Sequence, residues 1–169
     1  VHDPQTPLHV ALNALMLYFF GRDLEDRFGR FKFALYLVVA VVVGGLFVMA
    51  SSLLIHPSIA MGFSAAVEAS IVTWALYNRN AQVLFLFAVP MRGIHMLWLA
   101  VAQWVLDAVS LSEISAAAHL GGIVFGAVVW FFGARRNRVR LFVDDVLAKL
   151  RLRKQPKLTV VPKKDRWVN

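Results

Sequence analysis

Long apolar runs separated by short polar segments make up most of this chain. Five runs are long enough to be candidate spans, at residues 8–20, 33–55, 59–77, 93–109 and 115–133. A helix that crosses a bilayer needs about 20 mostly apolar residues, and fewer where polar ends or neighbouring helices shield it. The pattern therefore predicts five membrane-spanning helices. A proline and an arginine separate the shorter apolar stretch 83–89 from the next run, so we expect this stretch to lie along the membrane interface or to enter the membrane only shallowly.

Composition supports the same interpretation. Hydrophobic residues make up 59% of the 169 residues and charged residues only 17%. A water-soluble domain of this size could not bury so much apolar surface in one core. The chain has no cysteine, so its fold does not depend on disulfides or on cysteine-bound metals. The predicted fold is an all-α, polytopic bundle of membrane helices.

The basic residues are predicted to lie on one side of this bundle. If the five helices alternate in direction, residues 21–32, 78–92 and 134–169 share a side, and these segments hold all 18 Lys and Arg residues. The segments on the opposite side hold none. The positive-inside rule makes the basic side cytoplasmic. This topology, and not a nucleic-acid partner, explains the net charge of +8.

This orientation divides the chain into two parts. Residues 1–133 are predicted to form the transmembrane core, and residues 134–169 a basic cytoplasmic tail. Within the tail, residues 141–152 carry apolar side chains at helical spacing among charged ones, which is typical of a short amphipathic helix on a membrane surface. The first span starts on the outer side, so a further helix is expected upstream of this segment.

Polar side chains within the predicted spans need partners or a function, because a bilayer solvates them poorly. His9, Ser64 and His119 fall near the outer ends of three different spans, at similar depth, whereas His95 lies toward the inner side. Asn13 lies four residues after His9 on the same helix face. This pair could hold two helices together or donate hydrogen bonds toward one point.

Small residues surround both Ser64 and His119. Two alanines follow the serine, and Gly122 and Gly126 follow the histidine at the G-x-x-x-G spacing that lets helix backbones approach closely. Such packing would bring the serine hydroxyl to the imidazole. A neutral imidazole can take the hydroxyl proton during attack on a carbonyl and return it to the leaving amine. The alternative is a serine that bonds to its own helix turn.

Four motifs occur in the order found in rhomboid intramembrane proteases. They are His9-x-x-x-Asn13, Gly21-x-x-x-Glu25-x-x-x-Gly29, Gly62-x-Ser64 and Ala118-His119-Leu120-Gly121-Gly122. The chain resembles this family over about residues 8–133, as helices two to six of a six-helix core whose first helix is not included.

The resemblance implies an activity and roles for individual residues. Ser64 would be the nucleophile and His119 the base of a catalytic dyad, with His9 and Asn13 binding the oxyanion. The substrates would be transmembrane segments of other proteins, cleaved near the outer face, and no metal or organic cofactor would be needed. The resemblance also assigns Glu25 and its charged neighbours Arg22, Asp26 and Arg27 to a cytoplasmic hydrogen-bonded cap, for which a solvated loop is the alternative.

Two residues depart from the usual pattern of the family. Ala65 stands where a glycine usually follows the serine, and Glu68 stands where an aromatic residue often packs on the histidine. Glu68 lies one turn deeper than Ser64 on the same face, so it could accept a hydrogen bond from His119 and complete a triad. Alternatively it remains protonated, or it pairs with Gln103.

The outer end of the fifth span carries Gln103, Trp104 and Asp107. We expect these side chains to hydrate the site or to border the substrate entrance, with interfacial anchoring as the alternative for the tryptophan.

Two further classes of function remain open. A catalytically inactive relative would bind membrane clients without cleaving them. An ion or proton carrier would use His9, His119 and Glu68 as ligands or relay groups.

Overall fold

A computed structural model describes residues 6–54, 63–85, 88–109 and 113–153 of the chain. Its elements follow one another as α1 (Thr6–Met16), a π-helical turn (Leu17–Gly21), α2 (Arg22–Phe28), α3 (Arg30–Leu54), α4 (Ser64–Tyr77), β1 (Gln82–Phe85), β2 (Val89–Arg92), α5 (Gly93–Val109) and α6 (Glu113–Arg153). The described chain is thus mostly helical, as predicted, with one short hairpin added. Gly62, the predicted outer loops in part and residues 154–169 lie outside the described residues.

Helices α1, α3, α4, α5 and α6 lie on the five predicted spans. In the described part of the chain, two segments are both long and apolar enough to cross a membrane by themselves, Arg30–Leu53 and Ala116–Lys149. Helix α5 is apolar but shorter, with 17 residues. Along α3, Leu35, Val38 and Val42 are all more than half exposed. In a bilayer such a surface faces lipid and incurs no exposure cost.

The chain forms two compact units, Val1–Phe132 and Gly133–Asn169. In the second unit, residues 141–152 are helical but belong to α6, so the predicted amphipathic segment is not a separate short helix. Leu141 and Phe142 are exposed there, and the Lys149 ammonium lies 2.7 Å from the Asp145 carboxylate, one turn away.

Helix α4 is the buried centre of the first unit. Of its 14 residues, Ala65–Ser70 and Val72–Ala75 are all buried. A series of buried hydrogen bonds crosses the helix near its C-terminal end, where Thr73 donates a hydrogen bond to the Gly126 carbonyl at 3.1 Å and pairs with the Tyr36 hydroxyl at 2.8 Å. Because the Thr73 proton goes to the carbonyl, Tyr36 is the donor to Thr73. These two hydrogen bonds therefore link α3, α4 and α6.

A cap joins α2 to the C-terminal end of α4, and it includes Glu25 and Arg27 of the predicted set together with Asp23, which was not predicted. Gly29 ends α2 with a φ of 83°, and its N–H bonds to the Glu25 carbonyl oxygen at 2.7 Å. This left-handed conformation favours glycine. The side-chain ties to α4 come from Asp23, which accepts a hydrogen bond from Asn78 at 3.0 Å, and from Arg27, which lies over the Tyr77 ring.

In the apolar stretch 83–89, residues 83–85 and 89 lie in short strands, and the expected position at the membrane interface stays a prediction. Strands β1 and β2 form an antiparallel hairpin that pairs Gln82 with Arg92 and Val83 with Met91. Pro90 is tolerated because the second strand of a two-stranded hairpin has a free edge.

Small residues allow α3, α4 and α6 to meet closely around Gly44, Ala65 and Gly121. A Cβ atom built on Gly44 of α3 would collide with the Ala65 Cβ of α4, and one on Gly121 of α6 would lie 2.9 Å from the Gly44 Cα. The missing side chain at Gly44 therefore provides the space for the Ala65 methyl group. The alanine that departs from the family pattern is accommodated by a glycine on the neighbouring helix.

This packing predicts a compensating pair of substitutions. Gly44→Ala should lower the thermal unfolding temperature in detergent, because two methyl groups would need the same space. Adding Ala65→Gly should restore most of the loss. Gly45→Ala is the matched control, because a Cβ there meets nothing within 4 Å. Equal unfolding temperatures for the Gly44 and Gly45 variants would contradict this account.

Candidate active site

Two glycines of α6 rest on the backbone of α4. A Cβ atom at Gly122 would lie 2.5 Å from the Ala65 carbonyl oxygen, and one at Gly126 would lie 2.6 Å from the Ala69 carbonyl oxygen. Each helix advances four residues from the first contact to the second, so the two helices run parallel. No residue larger than glycine fits at either position without moving the helices apart.

This register brings the predicted nucleophile and base to nearly the same level. Ser64 precedes Ala65 by one residue, and His119 precedes Gly122 by three, so their levels differ by about 3 Å at 1.5 Å per residue. Ser64 is partly exposed at the start of α4, and His119 is buried with 8% of its surface exposed. Among the described residues no hydrogen bond joins them, and such bonds often tighten only when substrate binds.

The start of α4 is suited to a developing negative charge. The first N–H groups of a helix point out of its N-terminus and carry partial positive charge. An oxyanion formed beside Ser64 would lie close to these groups. The helix begins at the predicted nucleophile, because Ser64 is the first residue of α4.

The two predicted oxyanion residues bond to each other. The Asn13 amide nitrogen lies 2.9 Å from His9 Nε2, one turn away on α1. If the amide donates, His9 carries its proton on Nδ1, which then remains available as a donor, as does the second amide proton. The shared helix face was predicted correctly, and oxyanion binding by this pair stays a prediction.

His119 has a carboxylate partner, and it comes from α5. Its Nδ1 atom lies 2.7 Å from Asp107 Oδ2, and the two side chains are only 10% and 15% exposed. Gln103, one turn before Asp107, donates a hydrogen bond to the other carboxylate oxygen at 3.0 Å. This arrangement leaves Nε2 as the imidazole nitrogen available to a hydroxyl.

Glu68 does not occupy the position suggested for it. Its residue is 7% exposed, and its Oε1 atom has no hydrogen-bond partner among the described residues. The Nδ1 atom of His119 is taken by Asp107, and the Gln103 amide is also bonded to Asp107. The reason is the position along the helices, since the Cβ atom of Glu68 lies close to Gly122, about one turn after His119 in α6.

A comparison with protein-family models decides the family. The Rhomboid domain model matches residues 5–136, most of the chain. The chain belongs to the rhomboid family. No curated protein and no solved structure matches it. The resemblance drawn from the motifs is therefore confirmed, and this rhomboid is a membrane protein by family and by its apolar helices.

A groove opens on this rhomboid beside the site. It has a volume of about 240 Å³ and lies between α1, the π-helical turn, α4 and α5. Its walls are mostly apolar, with Glu68 and Gln103 as the polar exceptions. Among the described residues, no group of three or more His, Cys, Asp or Glu residues could hold a metal ion.

Sequence reasoning missed the pairing of Asp107 with His119 although a signal was present. Asp107 lies two residues before the end of α5, and His119 lies in the second turn of α6. The depth argument that grouped the histidines with Ser64 applies equally to this carboxylate. The i,i+4 spacing to Gln103 was a second signal, because it predicts a hydrogen-bonded pair on one face.

The glycine contact predicts that one methyl group will disrupt the site. Gly122→Ala should push α6 away from α4 and separate His119 from Ser64, which would lower serine reactivity toward a fluorophosphonate probe by more than about tenfold. Gly45→Ala makes the same change in open space and should leave the labelling rate near that of the wild type. Labelling of the Gly122 variant at the wild-type rate would contradict this interpretation.

Proposed function

We propose that this rhomboid is an intramembrane serine endopeptidase that cleaves transmembrane segments of other membrane proteins near the outer membrane face. The observation that carries the proposal is the close, parallel contact of α4 and α6 at Gly122. It places Ser64 and His119 at nearly the same level on adjacent helices, in a family known for this chemistry.

The reaction follows from the two side chains. The Ser64 oxygen attacks the scissile carbonyl carbon while its proton passes to His119 Nε2. The tetrahedral oxyanion is stabilised by the N-terminus of α4 and by donors from His9 and Asn13. As the carbon–nitrogen bond breaks, His119 gives the proton to the leaving amine. Water, deprotonated by His119, then attacks the acyl-enzyme and releases the acid product and the free serine. No metal or organic cofactor is required.

The proposed topology has five spans, which belong to a six-helix core. All Lys and Arg residues then face the cytoplasm, and the starts of α4 and α6 face outward. Ser64 thereby lies where water can reach it from outside. A substrate helix would have to unwind locally to present a carbonyl, since helical carbonyls are already hydrogen-bonded. The mostly apolar groove supports small or apolar side chains in the substrate.

The alternative is an inactive rhomboid that binds membrane clients. The observation that favours it is the lack of a Ser64–His119 hydrogen bond among the described residues. Against it, the chain retains both reactive side chains and pairs the histidine with a carboxylate, an arrangement that client binding does not need.

A fluorophosphonate probe applied to the full-length protein in detergent tests the proposal. Wild type should be labelled, whereas Ser64→Ala should abolish labelling and His119→Ala should slow it by at least about 10³-fold. Ser70→Ala is the matched control, because the Ser70 hydroxyl is buried and bonds to the Ala66 carbonyl of its own helix at 2.8 Å. Labelling that survives in the Ser64 variant would refute the assignment, and an unlabelled wild type that still binds membrane proteins would favour the alternative.

A further inference from the structure

We propose that Asp107 is a positioning residue for His119, so that the site works as a Ser64–His119–Asp107 triad and not as a serine–histidine dyad. The inference rests on the proposed protease function and extends it to a third helix. Its basis is the contact between His119 Nδ1 and Asp107 Oδ2 at 2.7 Å. Asp107 need not touch the substrate, because it would act through the imidazole.

The contact has the properties of a strong hydrogen bond. A nitrogen-to-carboxylate distance of 2.7 Å lies at the short end of charge-assisted hydrogen bonds. Both side chains are largely shielded, so water competes weakly for either partner. A salt bridge on the surface, such as the one between Lys149 and Asp145, lacks this shielding, since both side chains are more than half exposed.

The carboxylate also selects the useful form of the imidazole. An ionised carboxylate only accepts hydrogen bonds, so the proton of a neutral His119 must lie on Nδ1. The lone pair is then on Nε2, the nitrogen that must receive the hydroxyl proton. With no acceptor at Nδ1, the other tautomer would be equally available and unproductive.

Asp107 is itself held in place. The Gln103 amide donates to Oδ1 while His119 takes Oδ2, so the two oxygens have separate partners and the carboxylate cannot easily rotate. The ionisable group that faces it from α4 is Glu68, which interacts with it electrostatically. From α6 the facing group is His119. Gln103 thus holds the Asp107 carboxylate in place, and this carboxylate in turn orients the imidazole of His119.

A purely structural tie between α5 and α6 is the competing explanation, and an asparagine separates the two. Asp107→Asn keeps a side chain of the same shape that can still hydrogen-bond to the ring, so the unfolding temperature should change little. Its amide can donate to Nδ1, however, which stabilises the unproductive tautomer. A structural tie requires only a hydrogen bond between the side chain at position 107 and the ring, whereas catalysis requires a hydrogen-bond acceptor facing Nδ1.

The experiment measures kcat and KM for cleavage of a transmembrane substrate by the full-length protein in liposomes, together with the unfolding temperature. Asp107→Asn should lower kcat by about 10³- to 10⁴-fold with KM nearly unchanged. Asp145→Asn, the same chemical change at the exposed pair, should leave both constants unaltered. Asp107→Ala should lower kcat as well and also lower the unfolding temperature.

Three outcomes would overturn the inference. If Asp107→Asn keeps kcat within about threefold of the wild type while Ser64→Ala is inactive, the protease function stands and the triad fails. If kcat falls only in proportion to the folded fraction, the tie is structural. A wild type that neither cleaves substrate nor reacts through Ser64 would instead remove the protease function and the triad with it.

Discussion

The contact between α4 and α6 is the constraint on which the rest of the site depends. At Gly122 and Gly126 the α6 backbone lies so close to α4 carbonyls that no Cβ fits between them. In lipid, helices gain no hydrophobic free energy from association, so close packing and interhelical hydrogen bonds must hold the bundle together. The Thr73 bond to the Gly126 carbonyl adds such a tie at the Gly126 end of this contact. A serine has a short side chain, so the proposed reaction with a histidine on another helix requires such close packing.

The lack of water inside a bilayer also explains how the polar side chains are arranged. A charge buried away from water is costly unless it is paired and hydrogen-bonded. His119 and Asp107 meet this condition through each other and through Gln103. Glu68 meets it less well, since one of its oxygens has no partner among the described residues and it borders the groove instead. His119, Asp107 and Gln103 thus form a hydrogen-bonded set, whereas Glu68 is a single carboxyl group beside the groove.

The sequence predicted the helices and the family better than the contacts between individual side chains. Apolar runs and the G-x-x-x-G spacing located α4 and α6, and the order of four motifs gave the family. The partner of His119 was not predictable in the same way, because helical periodicity gives the face and depth of a side chain on its own helix only. Glu68 and Asp107 both satisfied that criterion, and the choice depends on how α5 is rotated against its neighbours. The hairpin at residues 82–92 was missed for a related reason, since a short apolar run does not distinguish a strand from an interfacial segment.

Helix α5 therefore has two roles that meet in a single turn. Its residue Gln103 lines the groove, and the same side chain holds the carboxylate of Asp107. Any displacement of the C-terminal half of α5 would alter both the width of the groove and the orientation of His119. In a dyad, movement of this helix would change access to the site but not the base. In the triad, the position of α5 would set both the width of the groove and the ability of His119 to act as a base.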